Sequence, residues 1–283
     1  VSVPPSAEPD VDLSRAKLGP AEAAIFETFV VPRYLAPFGE LLVEMLAEGD
    51  EAQVAHLLCR TGYPDHAIGQ RLPGAHIHGC DPSLYAVELA RAKANTTPEM
   101  VGDYRMAEVL PVPLPSKAFS HALSVHPVVR PKERARLLAE CARLLAPSGQ
   151  AVMAIPLRGS FQEIFDLFRE FALKHEAVEV TQAVEYAALV QPTTAMFAAE
   201  LEGAGFQYVE VELRTSVLQF KNGRAFFEDP ITRLALLPEL RGTLAMEDVE
   251  WPLSYVRDAI DKYWSDGTFE VTVNVGCASG RLL

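Results

Sequence analysis

Residues 75–94, AHIHGCDPSLYAVELARAKA, change period part-way along. Ala75 to Cys80 is a short apolar run that suits a buried strand, Asp81-Pro82-Ser83 closes it, and Leu84 to Ala94 carries apolar residues at helical spacing. The same unit recurs on either side. Val54 to Leu58 is a short apolar run ending at Thr61-Gly62. Phe119 to Val125 is another, followed by a helix over Pro131 to Leu145, a Pro-Ser-Gly turn at 147–149 and the apolar strand Ala151 to Ile155. Strand and helix in this rhythm predict an α/β fold, a doubly wound and mostly parallel sheet with helices on both faces. Ligands of such sheets lie beyond the carboxyl ends of the strands at the switch point, which directs attention to the residues after Leu58, Cys80, Val101 and Val125.

Outside this unit the chain is more helical. Residues 1–20 hold four prolines and no apolar period, and read as a mobile leader to a single domain over 21–283. From Ala21 to Glu48 apolar residues recur at helical spacing, with Pro32 and Pro37 expected to split the run into two helices. Two helical insertions, about 160–204 and 221–266, read as lid elements. The first carries the stripe Ile164, Phe165, Leu167, Phe168 and Phe171; the second carries Phe226, Phe227, Trp251, Tyr255 and Trp264. Phe206 to Leu213 and Phe269 to Val275 alternate as strands. The Phe226-Phe227-Glu228-Asp229-Pro230 string reads either as part of an apolar substrate pocket or as the packing of the insertion onto the sheet.

The 283 residues include 38 Asp and Glu against 25 Lys and Arg, a net charge of −13. Partners recognised by their phosphates need a basic stripe, so nucleic acid is an unlikely partner here. With 49% hydrophobic residues the chain can bury a large core. No stretch reaches the roughly 18 apolar residues of a membrane helix, and the start lacks the order of a signal peptide, which reads as a cytoplasmic protein. Cys59, Cys80, Cys141 and Cys277 form no C-x-x-C pair and read as reduced, buried thiols. His76 and His78 share a strand face, with His56 on a neighbouring strand. No cysteine or carboxylate completes a ligand set by sequence, so they read as packed or hydrogen-bonded histidines and no metal is expected. Oligomeric state is not legible.

Five strings, in order, resemble the class I S-adenosylmethionine-dependent methyltransferases, the type 11 group in particular. Val54-Ala55-His56-Leu57-Leu58-Cys59-Arg60-Thr61-Gly62 stands where that family has V-L-D-x-G-C-G-T-G. Gly79-Cys80-Asp81-Pro82-Ser83 looks like G-x-D-x-S. Ala107 to Pro113 is similar to A-E-x-L-P-F-P, Phe119 opens a strand like S-F-D-x-V, and Ala142 to Gln150 resembles A-R-V-L-K-P-G-G-x. The resemblance implies a Rossmann-like sheet whose last strand is antiparallel, S-adenosylmethionine as the cofactor, and methyl transfer to a small-molecule acceptor. It implies cofactor-binding roles for His56, Leu58, Arg60, Gly62 and Asp81, with either Asp103 or Met106 at the adenine position, depending on register.

The departures fall on that same site. Glycines let backbone amides approach a ligand, so Leu58 and Arg60 fill space that the cofactor would take, and His56 replaces an acid. Ser120 stands where the family often has Asp. Asp81 reads equally as a ribose acceptor and as the N-cap of the next helix. His126, just before Pro127, is the candidate base should the acceptor need to lose a proton, with His121 second. The alternative reading is a non-catalytic pseudoenzyme that keeps the fold and serves as a binding or regulatory partner of another protein.

Overall fold

The computed structural model describes residues 11–13, 17–97, 101–127, 131–244, 246 and 249–283. Seven strands form one sheet: β1 (Gln53–Leu57), β2 (His76–Asp81), β3 (Val101–Met106), β4 (Phe119–Val125), β5 (Leu145–Pro156), β6 (Phe206–Phe220) and β7 (Phe269–Leu282). Their order is β3-β2-β1-β4-β5-β7-β6. The first five are mutually parallel, and β7 runs antiparallel to both β5 and β6. The sequence-based expectation of a mostly parallel sheet closed by an antiparallel last strand is met. The chain lays β2 and β3 to one side of β1 and β4 and β5 to the other, so the switch point falls between the carboxyl ends of β1 and β4.

Helices fill both faces. Before β1 come α1 (Pro20–Ile25), a π-helical stretch (Phe26–Leu35) and α2 (Ala36–Glu44), one uninterrupted path in place of the expected split. Pro32 lies inside the wider π-turns, and Pro37 lies where they give way to α2. Crossovers are made by α3 (Asp65–Arg71), α4 (Leu84–Thr96) and α5 (Pro131–Leu144). Then follow α6 (Gln162–His175), α7 (Val178–Val190), α8 (Thr194–Gly203), α9 (Gly223–Glu228), α10 (Leu237–Leu244) and α11 (Glu250–Tyr263).

Two cores result, one on each sheet face. The larger gathers Phe26 and Phe38 from the N-terminal helical path with Phe168 and Phe171 of α6, Phe226 of α9 and Val256 of α11. The smaller gathers Leu137 and Leu144 of α5, Phe197 and Leu201 of α8, and Phe206. The 160–204 insertion is therefore divided: α6 and α7 belong to the first face, whereas α8 packs on the second. Phe226 packs edge-on against Phe220 and Phe269, which supports the packing reading of the Phe226-Phe227 string.

The described part of the supposed leader is held down. Val11–Asp12 pairs with Val109–Leu110, Leu13 and Leu18 are buried, and the Leu18 carbonyl accepts the Ser83 hydroxyl at 2.7 Å. The rest of that stretch before Lys17 lies outside the described residues. Both terminal strands run longer than the apolar alternation suggested, to 15 and 14 residues, because each satisfies the other's backbone through the polar segment as well. No described helix is long and apolar enough to cross a membrane.

Candidate functional site

The turn after β1 decides the geometry of the switch point. Leu58 and Arg60 adopt left-handed backbone angles, φ +53° and +48°, and Gly62 follows at +73°. Non-glycine residues enter this region at a steric cost, so the fold is imposing a glycine-type turn on side chains that resist it. The Gly62 amide closes the turn onto the Cys59 carbonyl at 2.8 Å. Gly62 is the position where a side chain has no room: a Cβ there would sit 3.0 Å from Ala90 Cβ and 3.2 Å from Asp65 Oδ2.

Asp81, at the end of β2, is 1% exposed and is spent on this turn. Its Oδ2 accepts the Arg60 amide and its Oδ1 the Ser83 amide, each at 2.8 Å. The N-cap of α4 is Ser83, whose hydroxyl accepts the Ala86 amide, so the N-cap reading of Asp81 is corrected by two residues. Burial pushes the Asp81 carboxyl up to about 6, against the opposing pull of the two amides and of Arg60.

Beneath the turn lies a hydrogen-bonded chain centred on Asp65. His56 Nδ1 meets Asp65 Oδ1 at 2.7 Å, and the Tyr104 hydroxyl donates to Asp65 Oδ2 at 2.7 Å. All three side chains are buried. Burial works against the Asp65 carboxylate, but His56, Tyr104 and Lys93 outweigh it and hold the group below its usual range. Tyr104 fits because its neighbours are glycines: a Cβ on Gly79 or Gly102 would come within 2.3 or 2.6 Å of its ring. Asp65 thus places a carboxylate beside β1, against His56. Sequence reasoning passed over it, since Tyr63-Pro64-Asp65 reads only as a turn into a helix.

Above the turn the arrangement is looser. The Arg60 side chain is 5% exposed; Nη2 donates to the His126 carbonyl at 3.0 Å, and the guanidinium carbon lies 4.8 Å from the centre of the Phe26 ring. His126, also at positive φ, meets the Tyr34 hydroxyl through Nε2 at 2.7 Å and packs edge-on against Phe38. Burial, reinforced by the Arg60 charge, pushes the His126 imidazole down to about 3. A ring so hard to protonate, with Nε2 already engaged, is a poor proton acceptor, which counts against His126 as a base. Glu239 of α10 completes this side. The residue is half-buried, and burial pushes its carboxyl up to about 7, with Arg134 and Arg60 opposing.

Three buried polar atoms around the turn have no partner: His56 Nε2, Thr61 Oγ1 and His126 Nδ1. Met106 stands beside Asp81 in register at the carboxyl ends of the strands. Asp103 lies opposite His78 further back, paired with Arg105, so no carboxylate occupies the strand-end position of β3. Ser120 donates to the Gln53 carbonyl, and His121 contacts the Ala47 carbonyl, both at the far end of the sheet from the turn. The His76 and His78 rings stack 4.1 Å apart, while His56 belongs to the opposite sheet face, because Ala55 is the residue in register with His78. Among the described residues no group of three or more His, Cys, Asp or Glu is arranged to hold a metal ion. The four cysteines are free and buried.

A methyltransferase-domain family model matches residues 56–153. The YcgJ protein of Bacillus subtilis superposes with a TM-score of 0.52 at 12% identity, over 87% of this chain and 98% of that one. Phosphoethanolamine N-methyltransferase 2 of Haemonchus contortus, in a structure with phosphomonomethylethanolamine and S-adenosylhomocysteine, superposes with a TM-score of 0.53 at 12% identity, over 95% of this chain and 59% of that one. The chain has a class I methyltransferase-like fold. No curated protein matches it. The matched segment begins at His56 and so includes the turn.

Proposed function

We propose that this chain is a pseudoenzyme, a binding or regulatory protein that keeps the methyltransferase-like fold without carrying out methyl transfer. One observation carries the reading: the Arg60 guanidinium is buried at the switch point, between Phe26 and the His126 carbonyl. S-adenosylmethionine bears a positive sulfonium, and a cation of the protein in the same low-dielectric space opposes it. The Leu58 side chain, also buried, takes further room, and Asp81 is turned to backbone amides. The residues of the turn do not fit that cofactor as they stand.

Titration calorimetry tests the reading directly. Millimolar S-adenosylmethionine should give neither heat nor a rise in Tm, and a micromolar Kd would overturn the proposal, since tight binding to the native state must raise Tm by mass action. In the folded double variant Leu58→Gly with Arg60→Gly, binding should appear if side-chain filling is the obstacle. A second reading, methyl transfer to a small-molecule acceptor, draws support from the partnerless His56 Nε2, Thr61 Oγ1 and His126 Nδ1, because buried polar atoms normally have partners. The −13 charge disfavours nucleic acid as the acceptor or the partner in either case.

A further inference from the structure

The sheet ends on β6. Among the described residues no strand pairs with its outer edge, and no backbone hydrogen bond reaches residues 210–216 from outside β7. Such an edge leaves a row of backbone N–H and C=O groups to water, and native edges are ordinarily blunted by bulges, prolines or short length. The bulge of β6 lies near its start, between Gln207 and Glu210, where Tyr208 takes a positive φ of +52°. From Glu210 to Phe220 the strand runs against β7 in unbroken register, and residues 210–216, Glu-Val-Glu-Leu-Arg-Thr-Ser, contain neither proline nor glycine. A strand packed on one face alternates between buried and exposed residues, whereas Glu212, Leu213, Arg214 and Thr215 are all exposed, Leu213 at 49%. Both faces of the sheet are open at this point.

We infer that residues 210–216 pair antiparallel with the same residues of a second copy of the chain, about a two-fold axis at Leu213, so that the two sheets join edge to edge. The order of side chains makes the segment complementary to itself. Reversed about Leu213, Glu212 stands opposite Arg214 of the second copy, Arg214 opposite its Glu212, Val211 opposite its Thr215 and Glu210 opposite its Ser216. Directly opposed residues share a face, so the two Glu–Arg pairs fall on the side of α2, whose Glu44 already holds Arg214, and Leu213 meets its counterpart on the side of α8. Glu212 has no ion pair among the described residues. Arg214 holds Glu44 through Nη1 and Nη2, which leaves its Nε–H for a second carboxylate. The same charges fix the register: moving the axis one residue either way sets Glu212 against Glu212 or Arg214 against Arg214, and like charges directly opposite are destabilising. Each chain carries −13, which opposes association at large, and the reciprocal Glu–Arg pairs offset that repulsion at the contact itself. This edge lies away from the switch point, with β5 and β7 between, and the inference does not rest on the binding reading above.

The test is sedimentation velocity on the full chain from about 1 µM to about 100 µM in about 0.15 M salt, where distant charges are screened and close pairs persist. The mass should double across that range. Glu212→Arg alone sets cation against cation in both halves of the contact and should weaken the dimer about tenfold or more, as should Arg214→Glu. The chain carrying both Glu212→Arg and Arg214→Glu should associate again, because the pairs return with their signs exchanged. Leu213→Cys probes the register without altering charge. Opposed residues have Cα atoms about 4.5–5.5 Å apart, within disulfide reach, so mild oxidation should give a covalent dimer. Thr215→Cys should not, since Val211 of the second copy is its opposite. The native thiols are buried and add little background. A single-chain mass at about 100 µM, a dimer indifferent to either charge reversal, a folded charge-exchanged chain that stays monomeric, or cross-linking of Thr215→Cys in preference to Leu213→Cys would each overturn the inference.

Discussion

The two sides of the turn after β1 bury charge on opposite terms. Below it, Asp65 is 0% exposed yet takes hydrogen bonds from His56 and Tyr104, and its carboxyl is held below the usual range. Above it, Arg60 is nearly as buried but has one carbonyl and one aromatic ring for company, and burial pulls its guanidinium below the usual value. Depth is nearly the same on the two sides, and pairing is not. The lower chain acts as a brace whose parts depend on one another, whereas the upper cation is retained at a cost that local contacts only partly offset.

Removing one partner from the brace should show the largest effect. Asp65→Ala strands the His56 and Tyr104 groups in the core and should lower unfolding stability by about 3–5 kcal/mol in urea titration. A loss under about 1 kcal/mol would mean that the lower chain is not braced at all. A smaller effect concerns the upper side. His126 falls from the ordinary 6.5 to about 3 on folding, so between these values the unfolded chain binds more protons and stability drops as pH falls. From pH 7 to pH 5 this contribution to the decline is roughly 2 kcal/mol. The variant His126→Gln should lack it, and parallel Tm profiles for the two proteins would contradict the assignment. Smallest is Arg60→Met, which exchanges an unpaired buried cation for an apolar chain of similar length. Stability in the absence of ligand should stay level or rise by about 1 kcal/mol. A fall matching Asp65→Ala would erase the distinction between the two sides.

The alternation of period around residues 75–94 was sufficient for the sheet, since strand and helix spacing depend on local pattern and parallel pairing then leaves few topologies. Leu58, Arg60 and Asp81 were legible as a group because the resemblance marks those positions. Their partners were not. Asp65 and Tyr104 are brought to His56 by packing across three strands and a helix, and no spacing in the sequence registers that meeting. Glu239 lies nearly 180 residues from Arg60 in a helix whose apolar stripe explains it fully without the cleft. His126 could be placed at the end of β4, but burial reverses the chemistry expected of an exposed loop histidine. Pro32 misled for a physical reason, because the wider π-turn removes the clash that breaks an α-helix.

The left-handed angles at Leu58 and Arg60 decide which substitutions the turn would accept. Their backbone still follows the path glycine would take, and the surrounding fold maintains that path without glycine's help. Glycine at either position would therefore be accommodated on the existing trace, changing what the turn presents and not where it runs. The sequence stands two substitutions from a glycine turn, and relief of backbone strain favours both.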